Sequence, residues 1–174
     1  FILPHLLDRP VTLNRFPEGV EGEHFFQRHW HSPVPGFVQT AELPEEGTGE
    51  TGAYLLCQNL ATLLWLGQSG NLEIHAWFSR ASGKEDSGPD AGDGAANIAD
   101  LPDFIIFDLD PYIYSGKEPA GAEPELSREG FSKTVLAAKW LKETLEKSSL
   151  PEYIKTSGKT GLHSYVPVLR KFSY

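Results

Sequence analysis

Residues 104–111 decide the fold of this chain, and they read Phe-Ile-Ile-Phe-Asp-Leu-Asp-Pro. A short apolar run of this length predicts a buried strand, and Pro111 ends it because proline has no N–H to donate to a neighbouring strand. Successive strand side chains point to opposite faces, so Asp108 and Asp110 project from one face, with Cα atoms roughly 6–7 Å apart. Two carboxylates at the end of a rigid strand are suitable ligands for Mg²⁺ or Mn²⁺.

Three interpretations of this Asp-x-Asp pattern remain open from the stretch alone. The aspartates can cap a turn at the strand end without any chemical role. They can be the metal ligands of a nucleotidyl transferase, or Asp108 can be the nucleophile of a haloacid-dehalogenase phosphatase. The phosphatase pattern has threonine or valine where this chain has Tyr112, and here the motif lies in mid-chain, which weakens that interpretation.

The composition is that of an ordinary globular protein. The chain has 174 residues, 40% hydrophobic and 22% charged, which is enough for one domain with a real core. Its formal net charge of −9 counts against a non-specific nucleic-acid coat protein, which would be basic, but allows an enzyme with a local basic groove. No apolar run approaches the ~20 residues of a membrane span. Cys57 is the single cysteine, which excludes an intrachain disulfide and fits a reducing cytoplasm.

We expect the chain to be part of a longer protein. It contains no methionine, and residues 1–7 resemble the end of a helix whose beginning is missing. The same residues have no basic segment, so they do not form a signal peptide. Residues 1–174 as a whole are expected to form one domain.

Periodicity along the chain predicts an α/β (α+β) architecture, with helices packed in one layer on a sheet. Helical spacing predicts a short helix over 60–68, with Asn59 as N-cap and Gly70 as the stop, and a long helix over 128–147. Residues 83–100 are rich in glycine, alanine, serine and aspartate, which predicts a flexible insertion. Further strands are predicted at 11–16, 37–43, 53–57, 72–78, 152–156 and 162–169.

Each predicted helix has an apolar face that should pack against the sheet. In the short helix the face consists of Leu60, Leu63, Leu64 and Gly67. In the long helix it consists of Phe131, Val135, Ala138, Leu141 and Leu145.

Two other places combine aromatic or basic groups. Phe25 and Phe26 are adjacent on a predicted strand, so they face opposite sides; one is expected in the core and the other exposed, although both could be buried between layers. His75 lies on the polar face of the strand over 72–78, where a histidine is more often structural than functional.

The loop Ser157-Gly158-Lys159-Thr160-Gly161 resembles half of a phosphate-binding loop. Its glycine spacing is not that of a Walker A loop, and a strand follows instead of a helix. A hairpin loop of this composition can still offer N–H groups to phosphate oxygens, and His163 could reach the same anion. The alternative is an ordinary hairpin turn.

Taken together, these segments resemble the polymerase domain of bacterial and archaeal DNA ligase D. That domain is a primase-polymerase of the archaeo-eukaryotic primase superfamily, used in non-homologous end joining. The resemblance implies a primase-polymerase core with an RRM-like sheet and packed helices. The matching segments are Arg9-Pro10-Val11-Thr12-Leu13, Arg15-Phe16-Pro17, Gly19-Val20, Phe25-Phe26-Gln27-Arg28, Leu72-Glu73-Ile74-His75, Phe107-Asp108-Leu109-Asp110-Pro111, Thr156-Ser157-Gly158 and Gly161-Leu162-His163.

The resemblance implies a role for side chains of the second half of the chain. Asp108 and Asp110 match the family's two metal-binding aspartates. Ser157, Gly158 and His163 match its nucleotide motif, with Ser157 near the sugar and His163 near the triphosphate.

It also implies roles for five residues of the first half and for Lys159. His75 matches a histidine of the nucleotide pocket, and Arg15 matches a basic residue lining the active site. Phe25 and Phe26 match the aromatic pair that meets DNA bases, with Arg28 beside them. Lys159 is assigned to the nucleotide loop as well, although the family's lysine lies one position later, where this chain has Thr160.

The implied function is a nucleotidyltransferase that adds nucleoside monophosphates, preferably ribonucleotides, to DNA 3′ ends in gap filling or end repair. It would use Mn²⁺ or Mg²⁺ in a two-metal reaction. The implied partners are DNA ends with a 5′-phosphate, nucleoside triphosphates, Ku and an ATP-dependent DNA ligase, at the nucleoid in the cytoplasm and with no membrane.

The resemblance also implies a chain truncated at both ends. The family's third metal-binding aspartate follows the histidine motif on a strand beyond Tyr174, and the helical segment expected before Phe1 is missing. A non-catalytic DNA-end-binding module, using Phe25, Phe26 and Arg28, is therefore the alternative function.

Overall fold

The computed structural model describes residues 1–45, 50–82, 98–112, 128–157 and 161–170. They form two compact units, Phe1–Asp103 with Arg170, and Phe104–Leu169. Each unit contains an antiparallel sheet and helix, so the predicted α/β (α+β) class is confirmed. The expectation of one domain over 1–174 stays a prediction. In the described part of the chain, no helix combines the length and the apolar character needed to cross a membrane.

The insertion predicted over 83–100 lies outside the described residues, except for its last part. Ile98–Asp100 forms a short 3₁₀ helix. Flexibility of the remainder stays a prediction.

The first unit contains a five-stranded sheet in the order β2-β1-β4-β3, with β5 paired to β1 as well. β1 is central because it pairs with β2 and β4 along one edge and with β5 along the other. The elements are α1 (Leu3–Leu6), β1 (Pro10–Arg15), β2 (Phe25–Gln27), β3 (Gln39–Pro44), β4 (Thr51–Leu56), α2 (Leu60–Gln68) and β5 (Asn71–Ala76).

The apolar core of the first unit is built on β1. Val11 and Leu13 are each 1% exposed, and they pack in one cluster with Leu55 of β4 and Leu66 of α2. Burying side chains of this size stabilises a fold by roughly 1.5–3 kcal/mol each. The core therefore fixes β1, and β1 in turn positions the strands beside it.

A buried ionic group closes the first unit. Arg9 Nη1 donates to Asp103 Oδ1 at 2.8 Å and to the Trp77 carbonyl at 2.9 Å, and Arg80 Nε donates to Asp103 Oδ2 at 3.1 Å. Burial raises the pKa of Asp103, but the hydrogen bonds and charges of Arg9 and Arg80 outweigh it and hold the pKa below its usual value. Asp103 is consequently a paired, ionised carboxylate with a structural role.

The ends of α2 follow the sequence prediction, but its buried face does not. The Asn59 side chain accepts from the Thr62 N–H at 2.8 Å, and Gly70, just beyond the helix, has a φ of +76° that favours glycine. The buried residues are Thr62 and Leu66, whereas Leu60 and Leu64 are exposed. Leu63 of the predicted inner face does pack against the core, so the prediction is wrong for Leu60, Leu64 and the exposed Gly67.

Thr62 lies on the buried side of α2 although it is polar. Its hydroxyl donates to the Phe37 carbonyl at 3.2 Å, so a polar side chain is buried without losing its hydrogen bond.

The second unit is a three-stranded antiparallel sheet in the order β6-β8-β7. The strand that ends before Pro111 and the long helix over 128–147 are confirmed. The expectation that this strand is buried was wrong: none of its residues is buried, Ile105 and Phe107 are 46% and 37% exposed, and β6 is an edge strand of the described sheet. Of the predicted helix face, Ala138 and Leu145 are buried; Gly130 and Thr134 are buried as well. The elements are β6 (Phe104–Leu109), α3 (Arg128–Lys147), β7 (Tyr153–Thr156) and β8 (Leu162–Pro167).

Candidate active site

Asp108 lies near the end of β6, directly opposite His163 of β8 in the strand register. His163 Nε2 is 3.4 Å from Asp108 Oδ1. The Asp108 side chain is 62% exposed, against 26% for His163. Asp110 follows immediately after the strand, which ends at Leu109, so it lies just outside the strand on which the sequence analysis placed it. The structure thus brings a carboxylate and an imidazole together on the face of the sheet where the metal ligands are predicted.

Ser157 and Gly161, which flank the connection between β7 and β8, contact each other, and Gly161 packs against the end of β6. Ser157 Oγ accepts from the Gly161 N–H at 2.9 Å, and the Ser157 N–H donates to the Gly161 carbonyl at 2.9 Å. A Cβ on Gly161 would lie 2.6 Å from the Leu109 carbonyl oxygen and nearer still to Asp110 Oδ1. Glycine is therefore required here because a Cβ would collide with the Leu109 backbone carbonyl.

Ser157, Asp108, Asp110 and His163 are accordingly neighbours in one unit. Gly158 and Lys159, which were predicted to bind the nucleotide, lie outside the described residues. Their roles stay predictions, as does the role of every other residue of the site.

The strand register adds a residue that the sequence analysis missed. His163 lies opposite Asp108 on one side and opposite Lys155 of β7 on the other. Side chains directly opposite each other in neighbouring strands share a face, so Asp108, His163 and Lys155 form one row across the sheet. Lys155 Nζ is 5.8 Å from the centre of the Tyr165 ring. We call these three residues the charged row.

Asp108 also influences Tyr165, which lies two positions beyond His163 on β8. Burial raises the pKa of the Tyr165 hydroxyl, and the negative charge of Asp108 adds to that rise. Tyr165 is therefore a neutral aromatic residue at neutral pH, on the same face as the charged row.

The residues predicted to bind DNA lie in the first unit, around an open cleft of about 460 Å³. Both Phe25 and Phe26 are exposed, by 47% and 63%, so the expectation that one of them is in the core was wrong. They belong to a three-residue strand, β2, that pairs only with β1 among the described residues. The cleft is lined by Phe25, Phe26, Gln27, Arg28, His29 and His31.

Arg15 of β1 supports this cleft through hydrogen bonds and contacts with aromatic rings. Its Nη1 donates to Gln27 Oε1 at 2.9 Å and its Nη2 to the Ser69 carbonyl at 3.1 Å. The guanidinium carbon is 5.5 Å from the centre of the Phe25 ring and 5.3 Å from that of Trp30. These contacts orient β2, so what the structure describes for Arg15 is support of the cleft; its predicted contact with the nucleotide stays a prediction.

His75 lies beside the aromatic pair. Its ring is 5.7 Å from the ring of Phe26, and its Nε2 is 3.6 Å from Glu73 Oε2. Glu73 also accepts from the Asn14 amide at 2.9 Å. His75 is half exposed, so its imidazole is accessible to a ligand.

A series of polar contacts beside the cleft was not predicted from the sequence. His29 Nδ1 contacts Glu45 Oε1 at 3.0 Å, and His29 Nε2 is 2.8 Å from the Tyr54 hydroxyl. Burial raises the pKa of Tyr54, Glu45 raises it further, and Arg28 acts in the opposite direction. These contacts fix the His29 ring, which lines the cleft.

The predicted site residues therefore fall into two groups, one in each unit. Arg15, Phe25, Phe26, Arg28 and His75 belong to the first. Asp108, Asp110, Ser157 and His163 belong to the second. Within the described part of the chain, no three histidine, cysteine, aspartate or glutamate side chains are grouped as a metal site.

Comparison with known proteins identifies the family that the sequence motifs resemble. The family model described as "LigD, primase-polymerase domain" matches residues 1–174. The chain belongs to the LigD primase-polymerase domain family. This membership removes the haloacid-dehalogenase interpretation of Asp108, since the match covers the whole chain, including the Asp-x-Asp strand.

Curated relatives of this LigD domain are much longer than the chain. The bifunctional non-homologous end joining protein LigD of Bacillus subtilis is 30% identical over 168 residues, which are 97% of this chain and 22% of that protein. The multifunctional LigD of Mycolicibacterium smegmatis is 29% identical over 174 residues, 99% of this chain and 19% of that protein. The chain thus spans about a fifth of these relatives.

A solved structure has the same fold. The polymerase domain of Mycobacterium tuberculosis Ligase D, in complex with DNA, superposes with a TM-score of 0.70 and 25% identity. The match covers 96% of this chain and 50% of that one. The LigD primase-polymerase fold predicted from the sequence is confirmed.

Proposed function

We propose that this chain forms part of a nucleotidyltransferase that adds nucleoside monophosphates to DNA 3′ ends during non-homologous end joining. The observation that supports this most is the contact of Asp108 with His163, beside Asp110 and the glycine that packs on it. Membership of the LigD primase-polymerase family supports the reaction class. The relative solved in complex with DNA supports DNA as the substrate.

Asp108 and Asp110 would hold Mg²⁺ or Mn²⁺. Their donor set fits, because hard divalent cations prefer carboxylate oxygens and take their remaining ligands from water and phosphate. Asp108 is exposed, and the one partner described for its carboxylate is His163 at 3.4 Å, so an oxygen remains accessible. Held by Asp108 and Asp110, such a cation would supply positive charge that stabilises the negative charge developing during phosphoryl transfer.

The remaining residues of the second unit would position the nucleotide. His163 can donate a hydrogen bond to a phosphate oxygen, and its own orientation is set by Asp108. The Ser157 hydroxyl is oriented by the Gly161 N–H, which suits the predicted contact with the sugar. A preference for ribonucleotides would arise from hydrogen bonds that a 2′-hydroxyl makes and a deoxyribose cannot make.

The cleft of the first unit would hold the DNA. Exposed Phe25 and Phe26 can stack on bases, which is worth roughly 1–3 kcal/mol per base and tolerates any sequence. Arg28 offers a guanidinium for a phosphate. Tolerance of sequence is what the repair of random breaks requires.

Primer extension on a gapped duplex with a 5′-phosphate tests this proposal. The full-length protein that contains this chain is incubated with Mn²⁺ or Mg²⁺ and with either ribonucleotides or deoxyribonucleotides. We expect addition that depends on the metal and is faster with ribonucleotides. Failure to extend the primer with any of these combinations would contradict the proposal.

A second function is favoured by one specific observation, the exposure of both phenylalanines in the cleft. A DNA-end-binding module without catalysis needs this surface and nothing from the Asp108 site. It predicts tight binding of DNA ends by the full-length protein, loss of that binding on changing Phe26, and no addition of nucleotides under any condition.

A further inference from the structure

Lys155 occupies a defined place in the sheet of the second unit. It lies opposite His163 in the pairing of β7 with β8, and His163 lies opposite Asp108 in the pairing of β8 with β6. Neighbouring strands are about 4.8 Å apart, so the charged row runs across the sheet over about two such spacings. A carboxylate stands at one end of the row, an imidazole in the middle and an ammonium group at the other end.

The surroundings of Lys155 leave its ammonium group available. The residue is exposed, and no carboxylate pairs with it among the described residues. Its Nζ is 5.8 Å from the centre of the Tyr165 ring. A cation over an aromatic face is attracted by the ring. Tyr165 thus holds the lysine over the sheet without neutralising its charge.

We propose that Lys155 binds the polyphosphate of the incoming nucleotide, a role that rests on the function proposed above. A lysine ammonium is a compact charge with three donors, which suits phosphate oxygens. With metal ions at Asp108, a triphosphate lying along the row would have positive charge at both ends. His163, between them, would donate to the same phosphate chain.

A purely structural explanation of Lys155 competes with the proposed phosphate-binding role. In the described sheet β7 is an edge strand, and lysine on an edge strand discourages pairing with other chains. That explanation predicts a change in aggregation on replacing Lys155, with no change in nucleotide affinity. The two explanations are therefore separated by a binding measurement.

The experiment measures equilibrium binding of a nucleoside triphosphate and of the corresponding monophosphate, with Mg²⁺ and without primer. It uses the full-length protein and its Lys155→Ala and Lys155→Arg variants. Lys142→Ala is the matched control, since Lys142 is an exposed lysine on α3 of the same unit. Thermal unfolding of each variant verifies that it is folded.

We expect Lys155→Ala to weaken triphosphate binding about tenfold, the usual size for losing a hydrogen bond to a charged group. Monophosphate binding should change much less, because the lysine is assigned to the distal phosphates. Lys155→Arg should recover most of the affinity, because it keeps the positive charge, and Lys142→Ala should bind as the wild type does.

Unchanged triphosphate affinity in Lys155→Ala would overturn the role of Lys155 and leave the proposed function intact. A folded Lys155→Arg variant that binds as weakly as Lys155→Ala would also overturn it, because charge would then not be what matters. A wild-type protein that neither binds triphosphate nor extends a primer would overturn both proposals together.

Discussion

Asp103 and Asp108 are close in sequence but differ in burial and in pairing. Asp103, in the first unit, is 13% exposed and accepts hydrogen bonds from Arg9 and Arg80, which keep its pKa low. Asp108, in the second unit, is 62% exposed and has His163 at 3.4 Å. The contrast separates a carboxylate that is fixed by structural pairing from one that stays open to solvent. Paired and buried charge holds a frame together, whereas exposed charge with one weak partner is available to a ligand.

The largest effect is expected from Asp108→Asn. The change keeps the size of the side chain but removes the negative charge that would hold a metal ion. Addition of nucleotides should fall by at least about 100-fold, as is common when a group that stabilises charge in the transition state is removed. Thermal unfolding should be unchanged, because the side chain is exposed. Primer extension and a melting curve on the same preparation check both expectations.

Retained primer extension by Asp108→Asn would contradict the assignment. A loss of stability would show instead that Asp108 has a structural role, like Asp103.

Asp103→Asn should have the opposite effects: a loss of stability, with no direct loss of nucleotide addition. It leaves the Arg9 guanidinium buried without its counter-charge, which costs roughly 3 kcal/mol of folding free energy. The folded-state pKa of Asp103 is lowered, so its contribution to stability is present above the ordinary aspartate pKa near 3.9 and is lost as the pH falls through the lowered value. Urea unfolding from pH 7 to pH 3 checks this.

In the Asp103→Asn variant that part of the acid dependence should vanish. A variant as stable as the wild type at pH 7 would mean that the ionic group does not hold the first unit.

Gly161→Ala tests the close packing of the loop on Asp110. The added methyl group would collide with the Leu109 carbonyl and with Asp110, so we expect a loss of about 2 kcal/mol in stability together with reduced addition. Gly67→Ala is the matched control: a Cβ there meets nothing within 4 Å, and alanine favours a helix by roughly 0.5–1 kcal/mol. Urea unfolding of both variants measures the contrast.

The packing argument fails if Gly161→Ala is as well tolerated as Gly67→Ala.

The smallest effect is expected from Phe26→Ala in the cleft. Removing one exposed ring should weaken binding of a DNA end by about 1–2 kcal/mol, through lost stacking. Stability and nucleotide affinity should be nearly unchanged. Fluorescence anisotropy of a labelled duplex end measures the loss, and Leu64→Ala, an exposed residue of α2 outside the lining of the cleft, is the control.

Equal DNA affinity in Phe26→Ala and the wild type would remove the cleft from the DNA-binding surface.

Local features of this fold could be read from the sequence, and features set by distant contacts could not. The strand before Pro111 and the bounds of the long helix follow from short-range periodicity and from proline, and both are confirmed. The inner face of α2 was wrong for Leu60 and Leu64, whereas the buried side includes Thr62, whose hydroxyl donates to the distant Phe37 carbonyl. Periodicity alone contains no information about such a contact.

The candidate site shows the same limit. The Asp-x-Asp pair and the loop that precedes His163 could be found as motifs. Lys155 could not, because its place beside His163 depends on how β7 pairs with β8. Phe25 and Phe26 were misjudged because alternation assigns one side of a strand to the core, whereas β2 is too short to be covered on either side.

Titration of Mn²⁺ by electron paramagnetic resonance tests the central claim most directly, because it needs no DNA and no turnover. The full-length protein is compared with its Asp108→Asn and Asp103→Asn variants. If the exposed carboxylate of Asp108 binds the metal ion, Asp108→Asn should weaken Mn²⁺ binding at least about tenfold. Folded Asp103→Asn should bind Mn²⁺ as the wild type does. Wild-type affinity in Asp108→Asn, or the same loss in both variants, would contradict the account.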